Sequence, residues 1–158
     1  MTRTKRGNGA RLASEPAPAP GGRLPSLLGY NLRLAQVRVF QDFAATMRSF
    51  DLTPGQLGAL LLIERTPGLS QSALGMALGI ERSSVVPLID RLQARGLVRR
   101  AVRADDRRAH ALALSDIGAA LLHRLSPALE RHERRIARRL SPAERARLIG
   151  LLARVAAP

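Results

Sequence analysis

The stretch from Ser70 to Ser115, SQSALGMALGIERSSVVPLIDRLQARGLVRRAVRADDRRAHALALS, constrains the fold of this chain more than any other. Ser70 is a good helix N-cap, and Leu74, Ala77 and Leu78 behind it share one helical face. Gly79 supplies the positive-φ position at which a short helix can stop and turn. A second helix is predicted from about Glu81 to Ala94, with Val85, Leu88, Ile89 and Leu92 spaced three and four apart, and Gly96 closes it. Two short helices joined through a glycine-containing turn match a helix-turn-helix, whose second helix can lie in the major groove of DNA. Leu97 to Arg103 reads as a strand, Ala104 to Arg108 as a polar turn, and His110 to Leu114 as a second strand with Leu112 and Leu114 alternating. A helix-turn-helix followed at once by a hairpin with an arginine-rich tip is a winged helix-turn-helix, and the tip is expected to touch DNA rather than stand as a solvated loop.

Base reading draws on the N-terminal part of a recognition helix. Arg82, Ser83 and Ser84 occupy that place, with Pro87 and Arg91 one to two turns further on. An arginine can bond guanine O6 and N7 together, and a serine can contact several base or phosphate groups. For Ser83 and Ser84 the alternative is plain N-terminal capping. Ser70, Gln71 and Ser72, at the start of the preceding helix, are placed to hold phosphate through hydroxyls and helix N-terminal amides. Pro87 removes a backbone donor, so a kink is expected there.

Charge agrees with such a partner. Twenty-six Lys and Arg stand against 12 Asp and Glu, a formal charge of +14 in 158 residues, which favours nucleic acid first and an anionic membrane surface second. No apolar run is long enough to span a bilayer. The absence of cysteine excludes disulfides, thiolate metal sites and thiol redox switching. His110, His123 and His132 are expected at the surface, with no acid cluster at metal spacing and no catalytic constellation, so neither a metal, a cofactor nor an enzyme is predicted.

Residues 1–23 form a basic, Pro/Ala-rich tail, expected to be disordered, with a phosphate-attracting arm as the alternative. From Leu24 to about Phe50 the pattern is helical with two apolar stripes. One contains Leu34, Val37, Phe40 and Met47, the other Leu28, Leu32, Val39 and Phe43. Two stripes suggest that this helix packs on its own domain and on a second body, most simply another copy of the chain. Thr53-Pro54-Gly55-Gln56 reads as a capping box opening a buried helix to Arg65. Ser115 caps a long helix to about Leu140, kinked near Pro127, and Ser141-Pro142-Ala143-Glu144 opens the last one.

The segments LGIERSSVVPLIDRLQARGLV, DDRRAHALALS and SDIG make the chain resemble the MarR family of bacterial transcriptional regulators, over Leu24 to the C-terminus. That resemblance implies a mainly α fold with a small β-hairpin wing. A winged helix-turn-helix DNA-binding domain (51–115) would stand beside a helical dimerisation region built from 24–50 and 116–158. It implies that Arg108 of the wing enters the minor groove and that Asp90 on the recognition helix orients it, with Arg107 a second wing contact. It further implies a cytoplasmic homodimer on a palindromic operator in double-stranded DNA. A small-molecule effector would sit between the dimer helices and the winged domain, often an aromatic acid and in some relatives an aromatic acyl-CoA thioester. Tyr30, Asn31, Arg33, Arg38, Phe40 and Phe43 are the first-helix candidates for that ligand, with plain core as the alternative for the phenylalanines. The function so read is a sequence-specific regulator, a repressor released by an anionic or aromatic ligand. The alternatives are a sequence-tolerant nucleoid-type DNA binder, suggested by the charge and the tail, and a winged-helix module that binds protein instead of DNA.

Overall fold

The computed structural model describes residues 22–102 and 110–157. A single turn of 3-10 helix, Leu24–Ser26, precedes α1 (Leu28–Met47), and a second, Arg48–Phe50, follows it. Then come α2 (Pro54–Arg65), β1 (Leu69–Ser70), α3 (Gln71–Leu78), α4 (Arg82–Ala94), β2 (Val98–Val102), β3 (His110–Leu114), α5 (Asp116–Ile136) and α6 (Pro142–Ala156). This is the mainly helical winged arrangement expected from the sequence. Both predicted capping boxes are formed. Thr53 Oγ1 accepts from the Gln56 amide at 3.2 Å while Gln56 Oε1 accepts from the Thr53 amide at 2.9 Å, and Ser141 and Glu144 do the same for α6.

Two boundaries differ from expectation. The sheet has three strands in the order β1-β3-β2, because Leu69 and Ser70 pair with Leu112 and Ala111 before Ser70 goes on to cap α3. A two-residue strand has no periodicity to read. α5 ends at Ile136 and not near Leu140, since the chain must turn through 137–140 for Ser141 to reach the extended backbone (φ −66°, ψ 161°) that its capping role requires. Pro87 and Pro127 both lie within continuous helices.

The core gathers one apolar face from each element: Leu57, Leu60 and Ile63 of α2, Leu74 of α3, Val85, Ile89 and Leu92 of α4, Val98 and Leu112 of the sheet, Leu121, Leu122 and Leu125 of α5, and Phe43 and Met47 of α1. Gly118 fixes how closely α5 approaches it. A Cβ there would lie 2.1 Å from the Leu97 carbonyl oxygen, which also accepts from the Ser115 amide at 3.1 Å. α6 is the exception, with no buried residue and with Leu148, Ile149, Leu151, Leu152 and Val155 all exposed.

α1 and α5 are joined by a polar cluster around Asp42. Its Oδ1 lies 2.6 Å from His132 Nδ1, and Arg135 donates to both carboxylate oxygens, Nε to Oδ2 at 2.8 Å and an η-nitrogen to Oδ1 at 2.9 Å. Thr46 donates its hydroxyl to the Asp42 carbonyl at 2.7 Å and accepts from Arg135. His132 is only 3% exposed and meets Phe43 edge to face at 5.6 Å, so this histidine, expected at the surface, belongs to the interior. Its spacing from His123 gave no sign of this, because the partner that buries it comes from a helix 90 residues earlier. The Arg135 guanidinium foremost, and His132 after it, hold the Asp42 carboxyl far below the usual carboxylate range against the opposing effect of burial.

Replacing Gly118 with Ala should lower stability by more than about 2 kcal/mol, measured by urea unfolding, because backbone and not a flexible side chain blocks the added methyl. Asp42 has a depressed native pKa, so its contribution is complete above about pH 4 and is lost as pH falls through the native value. Asp42→Asn should therefore be less stable than the parent at pH 6, with the gap closing steadily below about pH 4. A gap constant down to pH 2 would show that the carboxylate charge contributes nothing.

Candidate nucleic-acid interface

α3 is capped by Ser70, whose Oγ accepts from the Ala73 amide at 3.1 Å and lies 3.1 Å from Ser72 Oγ. Gly79 takes the left-handed conformation (φ 64°, ψ 32°), and the Ile80 amide bonds the Gly75 carbonyl at 3.0 Å, so the chain turns into α4 within three residues. The two helices cross closely at Gly75, where a Cβ would stand 2.8 Å from Val85 Cγ2. Between them lies a shallow groove of about 280 Å³ lined by Ser72, Met76, Ile80 and Arg82 among others.

Periodicity gives α4 two faces. Val85, Leu88, Ile89 and Leu92 are buried, while Arg82, Ser83, Ser84, Pro87, Asp90 and Arg91 are exposed. The residues predicted to read bases thus share the open side of one helix, and Ser70, Gln71 and Ser72 sit at the start of its neighbour. Glu81, the N-cap residue, makes no side-chain cap; Ser83 Oγ reaches its carboxylate at 3.4 Å, so neither Ser83 nor Ser84 is engaged as a cap. Arg91 Nε donates to the Pro87 carbonyl at 3.1 Å.

The wing strands pair antiparallel, with Arg100 opposite Leu112 and Val98 opposite Leu114. Arg107 and Arg108 lie outside the described residues. What the structure does show is a partner for Asp90. Arg100 of β2 donates an η-nitrogen to Asp90 Oδ1 at 2.6 Å, with its side chain 24% exposed. The Arg100 Nε is buried with no acceptor among the described residues. This residue was missed in the sequence, though a signal existed. Strand alternation puts Arg100 on the same face as buried Val98, and an arginine on a core-facing side needs a carboxylate within reach.

The first-helix ligand candidates are dispersed in role. Asn31 donates its side-chain amide to the carbonyls of Pro25 and Leu27 at 2.9 and 2.8 Å, which secures the start of α1. Tyr30 is half-buried, Arg33, Arg38 and Phe40 are exposed, and Phe43 is packed in the core against His132. Leu28, Leu34, Val37 and Phe40 of this helix are exposed.

Residues 50–109 match the model of the MarR family. A protein of Thauera aromatica assigned as transcriptional regulator of the hcr operon is 40% identical over 135 residues, covering 85% of this chain and 81% of that one. The chain belongs to the MarR family. Among solved structures, the repressor CouR bound to a 23-mer DNA duplex superposes with a TM-score of 0.81 at 41% identity, over 86% of this chain and 96% of that one. CouR bound to p-coumaroyl-CoA superposes at 0.77 with 40% identity, over 85% and 95%. A MarR-family regulator of transcription is therefore what presents the exposed face of α4.

If Arg100 and Asp90 hold the hairpin against the recognition helix, Arg100→Ala and Asp90→Ala should each weaken DNA binding about tenfold, roughly 1.4 kcal/mol. The double variant should be little worse than either single one. Fluorescence anisotropy on one duplex measures all three, and fully additive losses would mean that the two residues act separately.

Proposed function

We propose that this protein is a homodimeric, sequence-specific DNA-binding repressor, acting in the cytoplasm and released from its operator by an aromatic acid or the CoA thioester of one. The observation that carries this reading is the open polar face of α4, with Arg82, Ser83 and Ser84 outward beside the Ser70–Ser72 helix start, in a chain so like a repressor solved on duplex DNA. Residues 51–115 would contact DNA. Arg82, Ser83, Ser84, Pro87 and Arg91 meet bases, Ser70, Gln71 and Ser72 meet phosphates, and Arg107 and Arg108 of the wing reach the minor groove.

Residues 24–50 and 116–158 would form the dimer interface. The uncovered apolar residues of α6 and the exposed side of α1 support this, since a stripe of five large apolar side chains left in water favours association. The thioester ligand is supported by the p-coumaroyl-CoA complex of CouR and by the charge of +14, which suits a polyanionic effector. That same charge favours a second reading, a sequence-tolerant nucleoid-type binder.

Anisotropy titrations with the DNA upstream of the protein's own coding region, against a scrambled duplex at two salt concentrations, separate the two. The specific reading expects a palindrome-dependent complex that p-coumaroyl-CoA or free p-coumaric acid loosens. Equal binding to both duplexes, falling steeply with salt, would support the nucleoid-type reading. On the specific duplex, Arg108→Ala should bind at least about tenfold more weakly, and a variant that binds like the parent would remove the wing from the interface.

A further inference from the structure

We propose that Arg95 is a positioning residue that locks the recognition helix to the end of α1 and thereby sets the separation of the two recognition helices in the dimer. The inference rests on the dimeric DNA-binding reading above. Both ends of this strut are rigid. α4 closes in a Schellman arrangement, with the Leu97 amide bonding the Leu92 carbonyl at 2.9 Å and Gly96 at φ 67°, so the backbone of Arg95 has one place to be. From there its side chain reaches back more than forty residues along the chain. One η-nitrogen donates to the Phe50 carbonyl at 3.0 Å and the other to the Asp51 carbonyl, with the Asp51 carboxylate 3.9 Å away.

The acceptor end is equally defined. Phe50 ends the 3-10 turn that follows α1, and Asp51 sits in the left-handed region (φ 49°, ψ 52°), the one non-glycine residue at positive φ among the described residues. Carbonyls at a helix end have no intrahelical donor, and a guanidinium satisfies two at once while meeting the negative end of the helix dipole. α1 is itself fixed to α5 through Asp42, His132 and Arg135. A movement of α1 relative to α5 therefore reaches α4 through Arg95, at the end of the helix opposite its base-reading residues. A small change of angle there becomes a displacement at Arg82 and Ser83, about 19 Å along a 13-residue helix.

The chain has no cysteine, so Gln93→Cys, at an exposed site on α4, carries one spin label per protomer. Pulsed electron paramagnetic resonance on the labelled protein should give one narrow distance between protomers. Adding Arg95→Ala should broaden that distribution at least twofold, and Arg95→Lys, which can reach one carbonyl but not both, should fall between. On the operator, insertion or deletion of one base pair between half-sites should cost the parent at least tenfold in affinity and the Arg95→Ala protein less than threefold. The slope of log K against log salt should stay unchanged, whereas loss of a simple phosphate contact would reduce it by about one. An equally narrow distribution with Arg95→Ala, or a reduced salt slope with spacing preference intact, overturns the proposal. Absence of any distance between labels in the parent instead removes the dimer on which it stands. Circular dichroism checks folding, and if Arg95→Ala does not fold, Arg95→Lys carries the same comparison.

Discussion

The structure depends on the burial of one face of α4. Val85, Leu88, Ile89 and Leu92 are held in the core, and because a helix turns through 100° per residue, that burial commits Arg82, Ser83, Ser84 and Arg91 to the opposite side. Each fully buried Leu or Ile is worth about 1.5–3 kcal/mol, far more than an exposed arginine contributes by any contact of its own. The polar face is thus rigid by consequence of the apolar one. Gly75 lets α3 come close enough to cover Val85, and Gly118 does the same for α5 at Leu97, so two absent methyl groups set the spacing of the layers around the recognition helix.

Acidic side chains are scarce, and those that pair do so largely at joints between elements. The 26 Lys and Arg outnumber the 12 carboxylates, an excess of positive charge that suits a surface that meets a polyanion. Asp42 joins α1 to α5, Asp90 joins α4 to the wing, Asp51 lies at the contact between the end of α1 and the end of α4, and Glu133 bonds Arg145 across the α5–α6 turn. Exposed ion pairs contribute little by themselves. The Asp42 cluster differs because His132 is buried and one carboxylate holds both it and Arg135 across from α1 to α5.

The apolar surface divides between a finished core and an unfinished one. The winged domain buries most of its large apolar side chains, with Leu61, Met76, Ile80 and Val86 as exceptions, whereas α6 has none buried and leaves Leu148, Ile149, Leu151, Leu152 and Val155 exposed, as α1 does Val37 and Phe40. An amphipathic helix has no reason to carry such a stripe unless something covers it. The homodimer proposed above would use that uncovered surface.

Sequence alone determined the elements that rest on local rules. Capping at Thr53, Ser70, Ser115 and Ser141, glycine turns at Gly79 and Gly96, and three-four apolar spacing placed the helices and the hairpin within a few residues, because each signal acts over one or two turns. The outward placement of Arg82 to Ser84 followed from the same spacing. Only tertiary structure decided which distant groups meet. Arg100 with Asp90, Arg95 with the carbonyls of Phe50 and Asp51, and His132 with Asp42 are pairs 10 to 90 residues apart. Strand alternation turns Arg100 toward the core side, but nothing in a local window names the carboxylate or carbonyl that the fold brings against Arg100, Arg95 or His132. The reason is physical: periodicity fixes the direction of a side chain about its own helix or strand, while its partner depends on how the elements pack.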